Sequence, residues 1–455
     1  MVFRGNADGV ASCKNPQEVN KCLQALWESG MKKEFKRFDM KKPPVRTNLF
    51  FRTILYVLCA PDWLSHKSVV KKYNVDGLKP PFILLGNHNA FLDFKVAIKI
   101  LYPWRANYVA AIDGFIGREQ LLRMIGLICK RKFTDDTVLV KHLVRIVKNG
   151  DIPVIYPEAR YSLCGTTAVL PESLGKLCKL LKVPVVVLIC HGHHADSPFW
   201  NLHKRKVKPV EAEFRQILDA EEVKNLSVDE INRRIVEAFR YDDFAWQKER
   251  GIRIKYKGHA EGLHKVLYQC PACNTEYRMT SSGTVLSCKA CGKEWKLTEL
   301  SELKALDGKT EFTHIPDWYE WERNNVRREV EEGTYSSGVL PVHVNTLPNA
   351  RRFIRLGNGT MVHDMNGFRV TGTDVEGDPF EMIKTVPSMY SCHIEYEYLG
   401  KYGDCVDLNT LKDTWYIYPE PDRCDFSITK MALATEELYR AYRRAQGKIF
   451  VEGML

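Results

Sequence analysis

Hydrophobic and polar positions follow one pattern over residues 50–240 of this 455-residue chain and a different one towards its C-terminus. Short uninterrupted apolar runs in the first span predict strands that are covered on both faces, at residues 82–85, 152–156 and 183–190. Between them lie segments whose apolar residues recur at helical spacing, such as residues 137–148. Because strands and helices alternate, this span is predicted to fold as a layered α/β domain.

Over residues 336–429 the pattern changes to short alternating runs, such as residues 393–398. Turn pairs that include Asn358-Gly359 and Asn366-Gly367 separate these runs. About seven antiparallel strands fit this spacing, and a helix is predicted over residues 433–444. The C-terminal part is therefore predicted to be a small antiparallel β barrel or sandwich with a C-terminal helix.

Near the N-terminus, residues 16–40 are predicted to form a helix, and the apolar stretch 49–64 is interrupted by Arg52 and by Pro61-Asp62. This stretch is too short to cross a bilayer. Basic residues precede it: Lys32, Lys33, Lys36, Arg37, Lys41, Lys42 and Arg46. A basic segment before an apolar helix favours a peripheral anchor on an anionic membrane surface. The alternative is a charged surface helix followed by a core helix.

The composition limits the classes of protein that fit. A chain of 455 residues with 45% hydrophobic content is expected to hold two or three domains with real cores. The net charge of +11 is compatible with nucleic acid, anionic membranes or phosphorylated substrates as partners. Most of the fourteen cysteines follow no pattern, and the polar N-terminus carries no cleavable signal. We therefore expect a cytoplasmic protein, peripheral on the inner face of a membrane.

Four cysteines do form a pattern, in which two Cys-x2-Cys pairs are separated by fourteen residues: Cys270, Cys273, Cys288 and Cys291. Four thiolates at this spacing close a tetrahedral site that leaves no position open for water. We therefore predict a zinc ribbon with a structural zinc ion; unpaired reduced cysteines are the alternative. Because the ribbon lacks an arginine-rich face, it is expected to contact protein or to stabilise a small module, and no nucleic acid is expected.

The first candidate for chemistry is the pair His88 and Asp93, in the stretch FILLGNHNAFLDF that begins at Phe82. The two residues are close enough for the carboxylate to accept a hydrogen bond from one imidazole nitrogen. The other nitrogen is then free to act as a general base for a hydroxyl group. No nucleophilic serine is nearby, which indicates a hydroxyl of the substrate. A His-x4-Asp spacing also arises by chance, but a position at the end of a buried strand favours function.

Further polar residues follow other predicted strands. The cations Lys130, Arg131 and Lys132 suit a phosphate dianion, with a solvated charge run as the alternative. Glu158 and Arg160 follow Tyr156-Pro157 in the same way.

A third polar group follows the strand at 183–190 and consists of His191, His193, His194 and Asp196. We do not interpret it as a metal site, because adjacent side chains of an extended chain point to opposite faces. These histidines are expected to line the mouth of the pocket.

Together these motifs resemble, in order and spacing, those of the glycerolipid acyltransferase family, whose best-known members are the 1-acyl-glycerol-3-phosphate (lysophosphatidate) acyltransferases. The resemblance covers residues 50–240 and includes Val183-Pro184 as the opening of the fourth motif. It implies that His88 and Asp93 are catalytic. It also implies that Glu158, Arg160 and one cation of the Lys130 to Lys132 cluster bind the substrate phosphate.

The third motif, which comprises Tyr156 to Arg160, departs from the family pattern. Ala159 stands where the family has glycine, and Arg160 comes one place early. Either the loop is shortened with the guanidinium still reaching the site, or the acceptor differs from lysophosphatidate.

The chain is accordingly interpreted as an α/β protein with an acyltransferase-type catalytic domain. Its predicted parts are a helical, candidate membrane-interfacial segment (1–65), the catalytic domain (66–250), the zinc ribbon (255–305) and a β-rich domain with a terminal helix (310–455). The predicted function is an O-acyltransferase of phospholipid biosynthesis that moves a fatty acyl group from acyl-CoA or acyl carrier protein to a lysophospholipid hydroxyl, such as that of 1-acyl-glycerol-3-phosphate. The alternatives are an inactive acyltransferase-like module that binds lipid or protein, and a zinc-ribbon protein associated with nucleic acid, which the net charge supports.

Overall fold

The computed structural model of the protein describes residues 36–398 and 402–455. Most of the helix predicted over 16–40, with Lys32 and Lys33, lies outside the described residues. Residues 36–39, at the end of that predicted helix, are not helical.

The first part of the chain forms a seven-stranded sheet with the order β1-β7-β6-β2-β5-β3-β4. Its strands are β1 (Val69–Tyr73), β2 (Ile83–Gly86), β3 (Ala106–Ala111), β4 (Leu127–Lys130), β5 (Ile152–Ile155), β6 (Val185–His191) and β7 (Glu211–Leu218). Pairing is parallel from β6 to β4 and between β1 and β7, whereas β6 and β7 are antiparallel. The predicted α/β layering is confirmed at this level.

Helices cover both faces of this sheet: α1 (Leu49–Ser65), α2 (Phe91–Leu101), α3 (Glu119–Met124), α4 (Thr137–Lys148), α5 (Ser173–Leu181), α6 (His193–Asp196), α7 (Ala220–Asn225), α8 (Val228–Ala238) and α9 (Asp243–Glu249). All four residues from Phe82 to Leu85 are fully buried. Phe82 and Leu84 pack in the core with α1 and α2, and Ile83 and Leu85 pack in the core with α4, α5 and α8. This two-sided burial explains why the sequence shows a continuous apolar run there rather than an alternation.

Helix α1 is buried on one face and exposed on the other. Cys59 and Trp63 lie in the core. Large apolar side chains remain exposed on its other side: Leu49, Phe50, Ile54, Val57, Leu58 and Leu64. Within residues 36–398 and 402–455, no helix combines the length and the apolar character needed to cross a bilayer.

The cysteine-containing segment forms a four-stranded sheet, which is followed by the long helix α10 (Ile315–Glu331). Its antiparallel strands are β8 (Met279–Ser282), β9 (Val285–Cys288), β10 (Glu294–Leu297) and β11 (Leu303–Ala305). The indole of Trp295 on β10 is fully buried against Trp318 of α10, with ring centroids 5.1 Å apart. An aromatic contact therefore fixes this sheet to α10.

The C-terminal sheet is antiparallel throughout and has the order β15-β14-β13-β12-β18-β17-β16. Its strands are β12 (Leu340–Thr346), β13 (Ile354–Asp364), β14 (Gly367–Asp374), β15 (Pro379–Thr385), β16 (His393–Glu395), β17 (Cys405–Asn409) and β18 (Thr414–Pro419). Helix α11 (Ile428–Ala445) follows. The predicted antiparallel strands and terminal helix are confirmed. In the described part of the chain β15 and β16 are open edges, so the sheet does not close into a barrel.

One hydrophobic core joins the three sheets. It contains Phe133 and Leu163 from the first part of the chain, Trp295 from the cysteine-containing sheet, and Ile394 and Leu433 from the C-terminal part. This core holds strand β16 against the end of the first sheet at which His88 follows β2 and Glu158 follows β5.

Candidate active site

The loop that carries His88 is anchored to the neighbouring strand β6. The Asn87 side chain is fully buried, donates to the carbonyl oxygen of Cys190 (2.9 Å) and accepts from the Cys190 N–H (2.7 Å). A Cβ atom at Gly86 would lie 2.8 Å from the ring of Tyr156, so glycine is needed for this close approach. The Tyr156 ring stacks on the imidazole of His88, with centroids 4.4 Å apart. His88 is thus held at the end of β2 by contacts to β5 and β6.

His88 and Asp93 face each other. The distance from His88 Nδ1 to Asp93 Oδ2 is 3.3 Å, and the carboxylate is fully buried in the first turn of α2. The same carboxylate accepts the backbone N–H groups of Asn89 (2.6 Å) and Ala90 (2.9 Å). A carboxylate at a helix N-terminus is also stabilised by the helix dipole. The structure therefore brings together the two residues that the sequence nominated for catalysis.

A second imidazole, that of His193, contacts the same carboxylate. Its Nδ1 lies 2.5 Å from Asp93 Oδ1, and the side chain is fully buried. The expectation that His193 and His194 line the mouth of the pocket is wrong, because both are fully buried. Gly192 has a φ of +84° and begins the short helix α6, so the chain is not extended there and the alternation argument does not apply.

Asp93 is ionised in this environment. Burial alone would raise the pKa of the Asp93 carboxyl, but the hydrogen bonds from His193 and His88 outweigh it and hold the pKa at about 2. An ionised Asp93 keeps the proton of the neutral His88 ring on Nδ1. Nε2 makes no hydrogen bond to any described residue, and His88 lines a cavity, so this nitrogen is free to accept a proton.

Glu158 contacts the backbone rather than the cavity. Its carboxyl group is fully buried and accepts the N–H groups of His88 (3.0 Å) and Ala168 (2.8 Å). Burial raises the pKa of Glu158 to about 8, although the two N–H groups oppose this shift. Its visible role is to hold the loop that carries His88.

Arg160 is bound between segments that are distant in sequence. Its guanidinium donates to Glu436 of α11 (2.7 Å) and to the carbonyl oxygen of Cys392 (3.3 Å), and the residue is buried. The preceding residue, Ala159, has a φ of +55°, a conformation that glycine adopts readily and other residues rarely. The turn expected of a glycine is therefore kept at Ala159, while Arg160 is directed to α11.

Arg131 is engaged in the same manner with the C-terminal sheet. Its guanidinium donates to the Thr414 hydroxyl (2.6 Å) and to the carbonyl oxygens of Leu347, Pro348 and Lys412. Its neighbours Lys130 and Lys132 line the cavity. Lys130 donates to the carbonyl oxygen of Thr134, and burial lowers its pKa.

The cavity beside His88 has a volume of about 920 Å³. Apolar side chains form its walls on two sides, from Phe91, Phe94 and Leu127 to Leu139, Leu143 and Leu177. Cavities of this size and lining bury chain-like apolar ligands well. The site thus combines an oriented imidazole with space for a largely apolar ligand.

The C-terminal sheet also contributes polar groups to the cavity, which the sequence analysis missed. His393 and Glu395 of β16 line it, and His393 Nδ1 donates to Asp407 Oδ2 (2.9 Å). Lys132 Nζ lies 2.7 Å from His393 Nε2. The only signal in the sequence is the alternation at residues 393–398, which predicts a strand but not the surface that the strand faces.

The four predicted metal ligands lie together. The Sγ atoms of Cys270, Cys273, Cys288 and Cys291 are all within 4.8 Å of one another. The Cys270–Cys291 and Cys273–Cys288 distances are both 3.8 Å. A tetrahedral site with metal–sulfur bonds of about 2.3 Å requires sulfur atoms roughly this far apart. The prediction of a cysteine cluster that can hold a metal ion is confirmed.

Comparisons with known proteins give similarities at the level of structure only. No protein-family model matches the chain, and no curated protein is similar to it. Among solved structures, the chain is similar to one described as the 1-acyl-sn-glycerophosphate (LPA) acyltransferase PlsC from Thermotoga maritima. The two share 15% identity over 48% of this chain and 88% of the other, with a TM-score of 0.33.

Proposed function

We propose that the chain is an O-acyltransferase that moves a fatty acyl group from the thioester of acyl-CoA or acyl carrier protein to a hydroxyl of a lysophospholipid, in phospholipid biosynthesis. The observation that carries this proposal is the position of His88 at the wall of a largely apolar cavity. Its Nδ1 faces the ionised Asp93, and its Nε2 has no hydrogen-bond partner in the part of the chain that the structure describes.

The reaction requires one base and no covalent enzyme intermediate. His88 Nε2 takes the proton of the acceptor hydroxyl, while the hydroxyl oxygen attacks the carbonyl carbon of the thioester. The tetrahedral intermediate then collapses, the C–S bond breaks, and the imidazolium returns its proton to the leaving thiolate. Asp93 stabilises the imidazolium formed in between. General base catalysis of this kind contributes roughly 10²- to 10⁴-fold to the rate.

The acceptor was expected to resemble 1-acyl-glycerol-3-phosphate, held by Glu158, Arg160 and the Lys130 to Lys132 cluster. In this structure Glu158, Arg160 and Arg131 are occupied by other contacts. Lys130 and Lys132 are therefore proposed as the cations that meet the acceptor. The exposed apolar face of α1 supports docking to an anionic membrane surface, together with the exposed Lys41 and Lys42 that precede it in the sequence; Arg46 is paired with Asp151.

Zinc is proposed as the ion of the cysteine cluster, because four thiolates with no place for water are typical of structural zinc. Such an ion takes no part in the acyl transfer. It would link the two Cys-x2-Cys turns and stabilise the sheet β8–β11.

The test is to incubate the protein with acyl-CoA or acyl carrier protein and a panel of lysophospholipids, and to identify the products by mass spectrometry. We expect His88→Ala to abolish transfer while the circular dichroism spectrum and one zinc equivalent per chain, measured by atomic emission, are unchanged. His203→Ala, at an exposed histidine, is the matched control. Undiminished turnover in His88→Ala would exclude the mechanism, and absence of transfer in the wild type would favour a binding module.

A further inference from the structure

Two acidic side chains, one basic side chain and one imidazole lie close together in the wall of the cavity. Asp113 follows β3 and Lys132 follows β4, whereas His393 and Glu395 both belong to β16 of the C-terminal sheet. His393 and Glu395 are two residues apart on a strand, so they share one face. We call Asp113, Lys132, His393 and Glu395 the mixed-charge cluster.

The charges of this cluster are close but not hydrogen-bonded to one another. Lys132 Nζ lies 3.9 Å from Asp113 Oδ2 and 4.0 Å from Glu395 Oε1. Both distances exceed those of a hydrogen bond. With the described residues, the ammonium group makes one short contact, to His393 Nε2, which accepts because the Nδ1–H is directed to Asp407. Asp113 accepts the Gly114 N–H (2.9 Å) and the Tyr398 hydroxyl (3.5 Å). A carboxylate accepts up to about four hydrogen bonds, so Asp113, Glu395 and Lys132 retain hydrogen-bonding capacity towards a ligand.

The cluster lies near the proposed base. The ring of Tyr161 is 4.3 Å from that of His88, and it also packs on Phe199, which contacts His393. Both His88 and the cluster line the same cavity. An acceptor whose hydroxyl reaches His88 would therefore direct its head group towards the cluster.

The cluster is poorly suited to a phosphate monoester. A dianion at the cluster would meet Lys132 beside the two carboxyl groups of Asp113 and Glu395, whereas Lys130 also lines the cavity but donates to the carbonyl oxygen of Thr134. The guanidinium group of Arg131 is held by the C-terminal sheet, and that of Arg160, which also lines the cavity, is paired with Glu436 of α11. A head group with both signs of charge matches the cluster better, because each of its poles finds an opposite charge.

Resting on the proposed acyl transfer, we propose that the acceptor is a zwitterionic lysophospholipid, whose phosphodiester anion binds Lys132 and whose ammonium group binds Asp113 and Glu395. The C-terminal sheet then determines the acceptor, because it supplies Glu395 and orients Lys132 through His393. Burial raises the pKa of Glu395 to about 8, and a bound ammonium group would favour its ionised form.

The experiment compares lysophosphatidylethanolamine, lysophosphatidate and monoacylglycerol with the same acyl chain. Binding is measured by calorimetry without acyl donor, and kcat/KM is measured with acyl-CoA. For the wild type we expect at least a tenfold preference for lysophosphatidylethanolamine over the other two in both measurements. Glu395→Gln and, as an independent variant, Asp113→Asn are expected to reduce this preference about tenfold, mainly through KM.

Glu381→Gln is the matched control, because it removes an exposed carboxylate on β15, the opposite edge of the same sheet. A preference for lysophosphatidate or monoacylglycerol, or an equal preference in the Glu395→Gln and Glu381→Gln variants, overturns the inference. Transfer to none of the acceptors contradicts the proposed function, whereas the binding preference measured without donor still decides the head group. The two failures are therefore distinguishable.

Discussion

Asp93 and Glu158 are two fully buried carboxyl groups that hold the same loop with opposite ionisation. Asp93 faces two imidazoles, and its pKa is held at about 2. For Glu158 burial outweighs the two backbone N–H donors, and its pKa rises to about 8. The environment, and not the residue type, therefore decides that Asp93 supports an imidazolium while Glu158 is kept close to neutral.

The raised pKa of Glu158 predicts a pH dependence of stability. The folded state retains a proton that the unfolded chain loses above the ordinary glutamate pKa. This contribution to stability is therefore full below pH 4.5 and is lost as the pH rises to about 8. Glu158→Gln cannot ionise, so we expect its melting temperature to fall less between pH 5 and pH 8.5 than that of the wild type.

The measurement is thermal unfolding followed by circular dichroism at both pH values. Glu158→Gln should be less stable than the wild type at pH 5, because its amide nitrogen cannot accept a backbone N–H, so only the change with pH is compared. Glu376→Gln, at an exposed residue, is the control. Equal changes in the wild type and Glu158→Gln would show that this carboxyl is already ionised at pH 5.

At the scale of elements, helix α1 is unusual because apolar residues occupy both its buried and its exposed face. Trp63 is 3% exposed, whereas Leu58 is 70% and Val57 60% exposed. The buried face accounts for the folding of the helix onto α2. Among residues 36–398 and 402–455 nothing covers the exposed face, which supports the proposed contact with lipid.

A charge on the exposed face of α1 is therefore predicted to weaken membrane binding. Burying a leucine side chain contributes about 1.5–3 kcal/mol, so Leu58→Glu should lower the affinity for anionic vesicles by at least about tenfold. The fold should be unaffected, because Leu58 is largely exposed. Vesicle co-sedimentation is the measurement, and Leu411→Glu, at a similarly exposed leucine after β17, is the control. The same affinity for both variants would argue against docking through α1.

At the scale of the whole molecule, a buried ion network connects the first sheet to the C-terminal part. Glu436 of α11 accepts from Arg160 (2.7 Å) and from Arg323 of α10 (2.7 Å). All three side chains are buried. Leaving a buried charge without its partner costs several kcal/mol of folding free energy, so these ion pairs hold the three segments together.

Breaking this network from one side is predicted to be strongly destabilising. Arg160→Met should lower the free energy of unfolding by about 3–5 kcal/mol, because Glu436 loses one of its two buried cations. Arg369→Met breaks the exposed pair with Glu381 and should cost at most about 1 kcal/mol. Urea denaturation followed by tryptophan fluorescence compares the two. Equal costs would mean that Arg160 contributes no more than a surface cation does.

What could be predicted from the sequence depends on how local the determining contacts are. The sequence predicts the buried strands at 82–85 and 152–155, because each depends on a pattern within one short segment. It predicts the His88–Asp93 contact for the same reason. The two Cys-x2-Cys pairs are readable for the same reason.

Contacts between distant segments were not readable. The basic cluster at Lys130 to Lys132 indicated a phosphate site, but the partners that bind Arg131 lie on residues 347–414. Likewise, no residue near Arg160 in the sequence indicates that its partner is Glu436. The histidines at 191–194 do not indicate that His193 contacts Asp93. Spacing along the chain identifies groups capable of chemistry, whereas long-range packing decides which of them remain available.

Strand β16 is a short edge strand with two alternating polar residues, His393 and Glu395, yet both line the cavity that contains His88. In the enzyme that we propose, the base and one half of the head-group site therefore lie on segments that are far apart in the sequence. Substitutions at His393 and Glu395 would then change the choice of acceptor, while the loop that carries His88 keeps its geometry.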